Sequence, residues 1–138
     1  MTASSLTSVC YIRKHQQEHP VIDFLRGRNY QKVSQLCFPY SQDKITDEDS
    51  SMDFLDDLEE NKVQGLDIWD TSNAETIAWV KRIIDFAIFT GNKGTLGDLF
   101  SFYSSREDAM KAVEQTNKEC RDYGFPTDDY FITTHTGV

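Results

Sequence analysis

Cysteine is scarce in this chain of 138 residues: Cys10, Cys37 and Cys120 lie far apart, are odd in number and include no CxxC pair. Neither a disulfide framework nor a zinc knuckle is therefore expected to organise the fold, and the thiols read as small core residues. Three prolines and seven glycines are too few for a low-complexity or collagen-like chain. No apolar run approaches the roughly 18 residues of a membrane span. The opening MTASSLTSV lacks the apolar stretch of a signal peptide. These absences lead to the expectation of a cytoplasmic protein without membrane contacts. Positive charge is also short, with 14 Lys and Arg against 23 Asp and Glu and a net charge of −9. Such a surface repels phosphate backbones, so direct nucleic-acid binding is disfavoured, whereas electrostatic steering would favour a basic partner.

What is present is enough for one core. Hydrophobic residues make up 38% of the chain and aromatics 12%, which rules out global disorder and suits a single domain over 1–138. The charge is unevenly placed. Residues 1–42 carry five basic and two acidic groups, residues 43–85 four and thirteen, and residues 86–138 five and eight. Within the middle block, DKITDEDSSMDFLDDLEE (43–60) holds nine carboxylates against Lys44 alone. Mutual repulsion among them predicts a solvated surface segment.

The element pattern is readable in outline. The Val, Cys, Tyr and Ile content of LTSVCYI (6–12) suits a strand. Pro20 opens a short helix that Gly27 closes, because the fixed φ and missing N–H of proline fit a first helical turn. NYQKVSQLCF (29–38) is open between helix and strand, and Pro39 ends it. KVQGLDIWD (62–70) alternates weakly and predicts a strand with Gly65 at a bulge. A mostly buried helix is expected over 73–89, where Ser72 and Glu75 have capping-box spacing and Ile77, Trp79, Val80, Ile83, Ile84, Phe86, Ala87 and Ile88 cover most of the helical surface. GNKGTLG (91–97) then reads as a helix cap and turn. The alternation in LFSFYS (99–104) predicts a strand. A helix follows, with Ser104 and Glu107 at capping-box spacing, before a last strand in DYFITTH (129–135). The expected architecture is α+β: a two-layer α/β sandwich with a four-stranded, mixed sheet, helices mainly on one face, and the 73–89 helix at its centre.

No active-site motif stands out. His15 and His19 are four apart and Cys10 precedes them, but Pro20 places the helix start after His19, so they read as surface histidines rather than zinc ligands. His135 is the third histidine, and no GxSxG surrounds any serine. DEDSSMD (47–53) lacks the central glycine and terminal Glu of a calcium loop. GNKGTLG has the wrong order and context for a phosphate-binding loop. The adjacent acids Asp56 and Asp57, or Asp128 and Asp129, need not have shifted pKa values. Neither a cofactor nor a metal is expected.

The acid-rich segment is thus the candidate interaction surface. As a helix, MDFLDDLEE (52–60) would place Met52, Phe54, Leu55 and Leu58 on one stripe, which could dock in a partner's groove or pack onto the domain's own sheet. The expectation is a non-enzymatic acidic binding module, an inhibitor or regulator that masks a basic and nucleic-acid-binding partner protein, as immunity and anti-defence proteins do. The residues expected at that contact are Asp47, Glu48, Asp49, Asp53, Phe54, Asp56, Asp57, Glu59, Glu60 and Trp69, assisted by Asp67 and Asp70. The alternative is a small enzyme using Asp or Glu with one of His15, His19 or His135 in a cleft that the sequence does not reveal.

Overall fold

A computed structural model describes residues 5–12, 19–97, 99–127 and 129–136. The elements in chain order are β1 (Ser5–Ile12), α1 (Pro20–Arg26), α2 (Tyr30–Cys37), α3 (Glu48–Glu59), α4 (Ala74–Phe89), β2 (Phe100–Tyr103), α5 (Arg106–Asp122) and β3 (Asp129–Thr136), with a 3-10 turn at Lys93–Leu96. The α+β class holds. The sheet, however, has three strands in the order β2-β1-β3, and both pairings are antiparallel. The four-stranded mixed sheet is overturned because 62–70 is not a strand. There the Leu66 N–H donates to the Val63 carbonyl at 3.2 Å and Asp70 N–H to the Asp67 carbonyl at 3.0 Å, so local turns consume donors that a ladder would need. Gly65, at φ +93°, turns the chain instead of bulging a strand. Val63, Leu66 and Ile68 are still buried, but from a coiled segment.

Both faces of the sheet are covered, unlike the two-layer expectation. Antiparallel partners share a face, and Cys10 pairs with both Phe100 and Phe131. With Ile12 these residues meet the main core built from α1, α2, α3 and α4. Val9 and Tyr11 point the other way and pack under Ala109 and Val113 of α5. Of the two faces, that under α5 is the thinner: only Ala109 and Val113 are buried on this long helix.

Helix starts follow capping chemistry, shifted by one residue from the expected sites. Asn73, not Ser72, caps α4 by accepting from Thr76 N–H, while Ser72 turns back to hydrogen-bond Asp70. Ser105, not Ser104, caps α5 and accepts from Asp108 N–H at 3.1 Å. The 29–38 stretch is helical, since Asn29 caps α2 and Val33, Leu36 and Cys37 fall on one buried face. Gly91 at φ +74° ends α4 as expected. Cys10 and Cys37 are core residues, and Cys120 is half-buried.

The acid-rich segment forms α3. Asp47 accepts from Ser50 N–H, and the Ser50 hydroxyl accepts in turn from Asp47 N–H, a capping box that starts the helix. Phe54, Leu55 and Leu58 are buried in the main core, where α3 packs chiefly on α1 and α2. Burying each of these side chains contributes about 2 kcal/mol, which anchors a helix whose outer face would otherwise repel itself apart.

Candidate functional site

Two constellations carry chemistry, and they differ in access. The first is the outer face of α3. Asp49, Asp53, Asp56 and Glu60 follow one another at spacings of four, three and four, so they form a single stripe on the solvent side of the helix. All four are exposed, and Met52 lies exposed among them at 57%. Met52 was expected in the apolar stripe; the helical wheel places it on the acidic side. Phe54, expected at the partner contact, is 3% exposed and belongs to the core, so it can touch no partner.

The protein neutralises part of this surface. Arg26 reaches across from α1 to Asp56 at 2.8 Å and Glu59 at 2.9 Å, and Lys62 pairs with Glu60 at 2.6 Å. Glu48 accepts from Tyr30 N–H at 3.1 Å. Asp47 is engaged in its cap, and accepting the Ser50 N–H holds its carboxyl below the usual range. Asp49 and Asp53 have no hydrogen-bond or ion-pair partner among the described residues. Among the described residues, nine carboxylates over 43–60 against Lys44, Arg26 and Lys62 leave a surplus of six negative charges.

Trp69 is attached to this face rather than protruding from it. It is half-buried, its Nε1–H donates to the Glu59 carbonyl at 2.9 Å, and its ring meets His19 edge-on at 5.3 Å. Beside it, Asp67, Asp70, Thr71 and Asp129 line a shallow cleft of about 230 Å³.

The second constellation was not legible as a unit in the sequence. Ser8 on β1, Thr133 and His135 on β3, and Asp85 on α4 converge between the sheet and α4. Ser8 Oγ lies 2.8 Å from His135 Nε2 and 2.9 Å from Thr133 Oγ1, and Thr133 Oγ1 lies 3.0 Å from the same ring nitrogen. His135 Nδ1 is paired with Asp85 Oδ1, and Lys81 donates to Asp85 Oδ2 at 2.8 Å. Partial burial works against ionising Asp85, but the hydrogen bonds from Lys81 and His135 outweigh it and hold the carboxyl below the usual range.

A serine, a histidine and an aspartate in this order have the contacts of a nucleophilic relay. Their access is reversed, however. A working relay buries the aspartate and presents the serine to substrate; here Ser8 is 1% and His135 0% exposed, whereas the Asp85 side chain is 43% exposed. The chemistry is sealed at the end where a substrate would have to arrive. Cysteine offers no substitute, since burial pushes the Cys37 thiol up to about 12 and raises that of Cys10 as well.

His19, expected at the surface, is fully buried. Its Nδ1 accepts from Val21 N–H at 3.2 Å, capping α1, so Nε2 carries the proton and donates it to the Ile68 carbonyl at 2.8 Å. His15 and Asp128 lie outside the described residues. The 47–53 run is the first turns of α3, which spreads its carboxylates around a helix instead of converging them on an ion. Among the described residues no three His, Cys, Asp or Glu side chains are grouped to hold a metal, and no helix is long and apolar enough to cross a membrane. No family model, curated protein or solved structure matches the chain.

Proposed function

We propose that this chain is a non-enzymatic binding protein, an inhibitor or regulator that masks a basic groove on a partner protein through the outer face of α3. The observation that carries the reading is the stripe Asp49, Asp53, Asp56 and Glu60 with Met52 exposed among its carboxylates. Over the eleven residue steps from Asp49 to Glu60 the helix rises about 16 Å. Measured along the helix axis, the four carboxylates therefore recur about every 5 Å, compared with roughly 3.4 Å of duplex axis per phosphate of one DNA strand. A cleft built to hold nucleic acid would meet a similar, looser line of charge. In such a contact the carboxylates steer and select, and Met52 supplies the desolvated apolar anchor that Phe54 cannot.

The test is capture from the source cells by the wild-type protein and by the double variant Asp49→Asn/Asp53→Asn, across a salt series. Wild type is expected to retain a basic protein that elutes with salt. Two lost charge contacts of about 0.7 kcal/mol each should weaken that binding about tenfold. Equal retention by both proteins at every salt concentration would reject the reading.

A second reading has one specific observation in its favour: the 2.8 Å contact of Ser8 with His135 suits a small hydrolase. A fluorophosphonate probe that labels Ser8 in wild type but not in His135→Gln would support it. Absence of labelling would agree with the sealed geometry.

A further inference from the structure

We propose that His19 is an acid-sensitive latch: it ties the 63–70 segment to the start of α1 only while its ring is neutral, and protonation releases that segment together with Trp69. The ring's donors and acceptors set this behaviour. A neutral imidazole has one of each, and His19 uses both, accepting from Val21 N–H and donating to the Ile68 carbonyl. An imidazolium is a donor at both nitrogens. Its new Nδ1–H would face the Val21 N–H, donor against donor, and the cap of α1 would be lost. The ring is fully buried, so water cannot take up the orphaned groups without movement.

Among the described residues no group accepts a hydrogen bond from Nδ1 of a protonated His19. Trp69 and the His19 ring meet in a T-shaped pair; Trp69 reaches only the backbone carbonyl of Glu59, whose carboxylate is paired with Arg26, and the carboxylates beside Trp69 are Asp67 and Asp70 on the segment itself and Asp129 on β3. Both ring nitrogens are already occupied, so none of these carboxylates bonds the imidazole. Asp23, on the first turn of α1, is exposed. Consistent with this, burial lowers the His19 pKa to about 4, and the bond to the Ile68 carbonyl only partly opposes it.

The part that would move is defined by what Ile68 holds. Ile68 is itself fully buried, the adjacent Trp69 ring donates to Glu59, and Asp67 N–H donates to Thr76 Oγ1 at 3.0 Å. Freeing the Ile68 carbonyl therefore loosens the contact between α1, the end of α3 and the cleft beside Trp69, a cleft that Asp129 at the start of β3 also lines. The latch does not depend on whether α3 binds a partner.

The test follows the indole N–H resonance of Trp69, resolved from that of Trp79, and far-ultraviolet circular dichroism of the intact chain from pH 7.5 to 3, with His19 followed by nitrogen-detected NMR. Wild type should show Nε2-protonated His19 at pH 7, and a Trp69 transition at acid pH that coincides with His19 protonation and leaves most of the helix signal intact. His19→Asn keeps a side-chain oxygen for the α1 cap but cannot titrate, and should lack that transition. The proposal is overturned by any of three results: the same transition in His19→Asn, loss of the dichroism signal at the same midpoint, or protonation of His19 near its ordinary value without a change at Trp69. If His19→Asn does not fold, the wild-type tautomer and the coincidence of the two titrations still decide the matter.

Discussion

The outer face of α3 and the cluster around His135 make a useful contrast. The cluster has the richer chemistry, a hydroxyl, an imidazole and a carboxylate in relay, yet Ser8 and His135 are closed to solvent. The α3 stripe has no reactive group at all, only carboxylates and a methionine, but all of it faces outward. A buried polar network whose every member is bonded holds elements together; here it pins α4 to β1 and β3. An exposed and only partly neutralised charge line acts on what lies outside the fold. Access, more than the identity of the side chains, separates the structural role from the interactive one.

The sharpest way to break this contrast is to cut α3 on its inner side. Phe54→Ala should destabilise the protein by about 3–5 kcal/mol, as for a buried aromatic in a packed core, seen as a lowered midpoint in urea. If Phe54 were instead a partner contact, stability would hardly change. Next in size is acid sensitivity at His19. Its folded-state pKa of about 4 lies below the ordinary 6.5, so the unfolded chain binds the proton more readily. The contribution, about 3 kcal/mol, is complete above pH 6.5, declines as pH falls from 6.5 towards 4, and should be missing from the pH–stability curve of His19→Asn. Somewhat smaller is His135→Ala, which removes the bridge between Asp85 and the two hydroxyls and should cost about 2 kcal/mol in urea unfolding. Smallest is Asp49→Asn/Asp53→Asn, which breaks no contact among the described residues and should move stability by less than about 0.5 kcal/mol.

Much of the fold was legible where pattern and caps agreed. β1, α4, α5 and β3 lie close to their expected spans, because alternation or helical periodicity ran long enough to decide them. The 62–70 segment was misread because Val63, Leu66 and Ile68 are apolar in any buried conformation, whereas the turn bonds that decided the outcome depend on φ at Gly65 and on Asp67. The acidic stripe was legible as composition. Its orientation was misread: Met52 and Phe54 are two residues apart and so fall on opposite sides of any helix, and burial of Phe54, Leu55 and Leu58 turns Met52 outward. The His135 cluster joins residues as far as 127 positions apart. One signal for it did exist: Phe131, Thr133 and His135 alternate on one side of β3, which places the histidine inward with the phenylalanine.

The central claim is that α3 acts outward and the His135 cluster inward, and the most direct measurement sets one against the other. The affinity of the captured partner is measured against salt for wild type, Asp49→Asn/Asp53→Asn and Ser8→Ala, each confirmed as folded. The account predicts a weaker affinity and a shallower salt dependence for the α3 variant alone, with Ser8→Ala matching wild type. An α3 variant that binds like wild type, or a Ser8→Ala protein that loses binding while still folded, would contradict it.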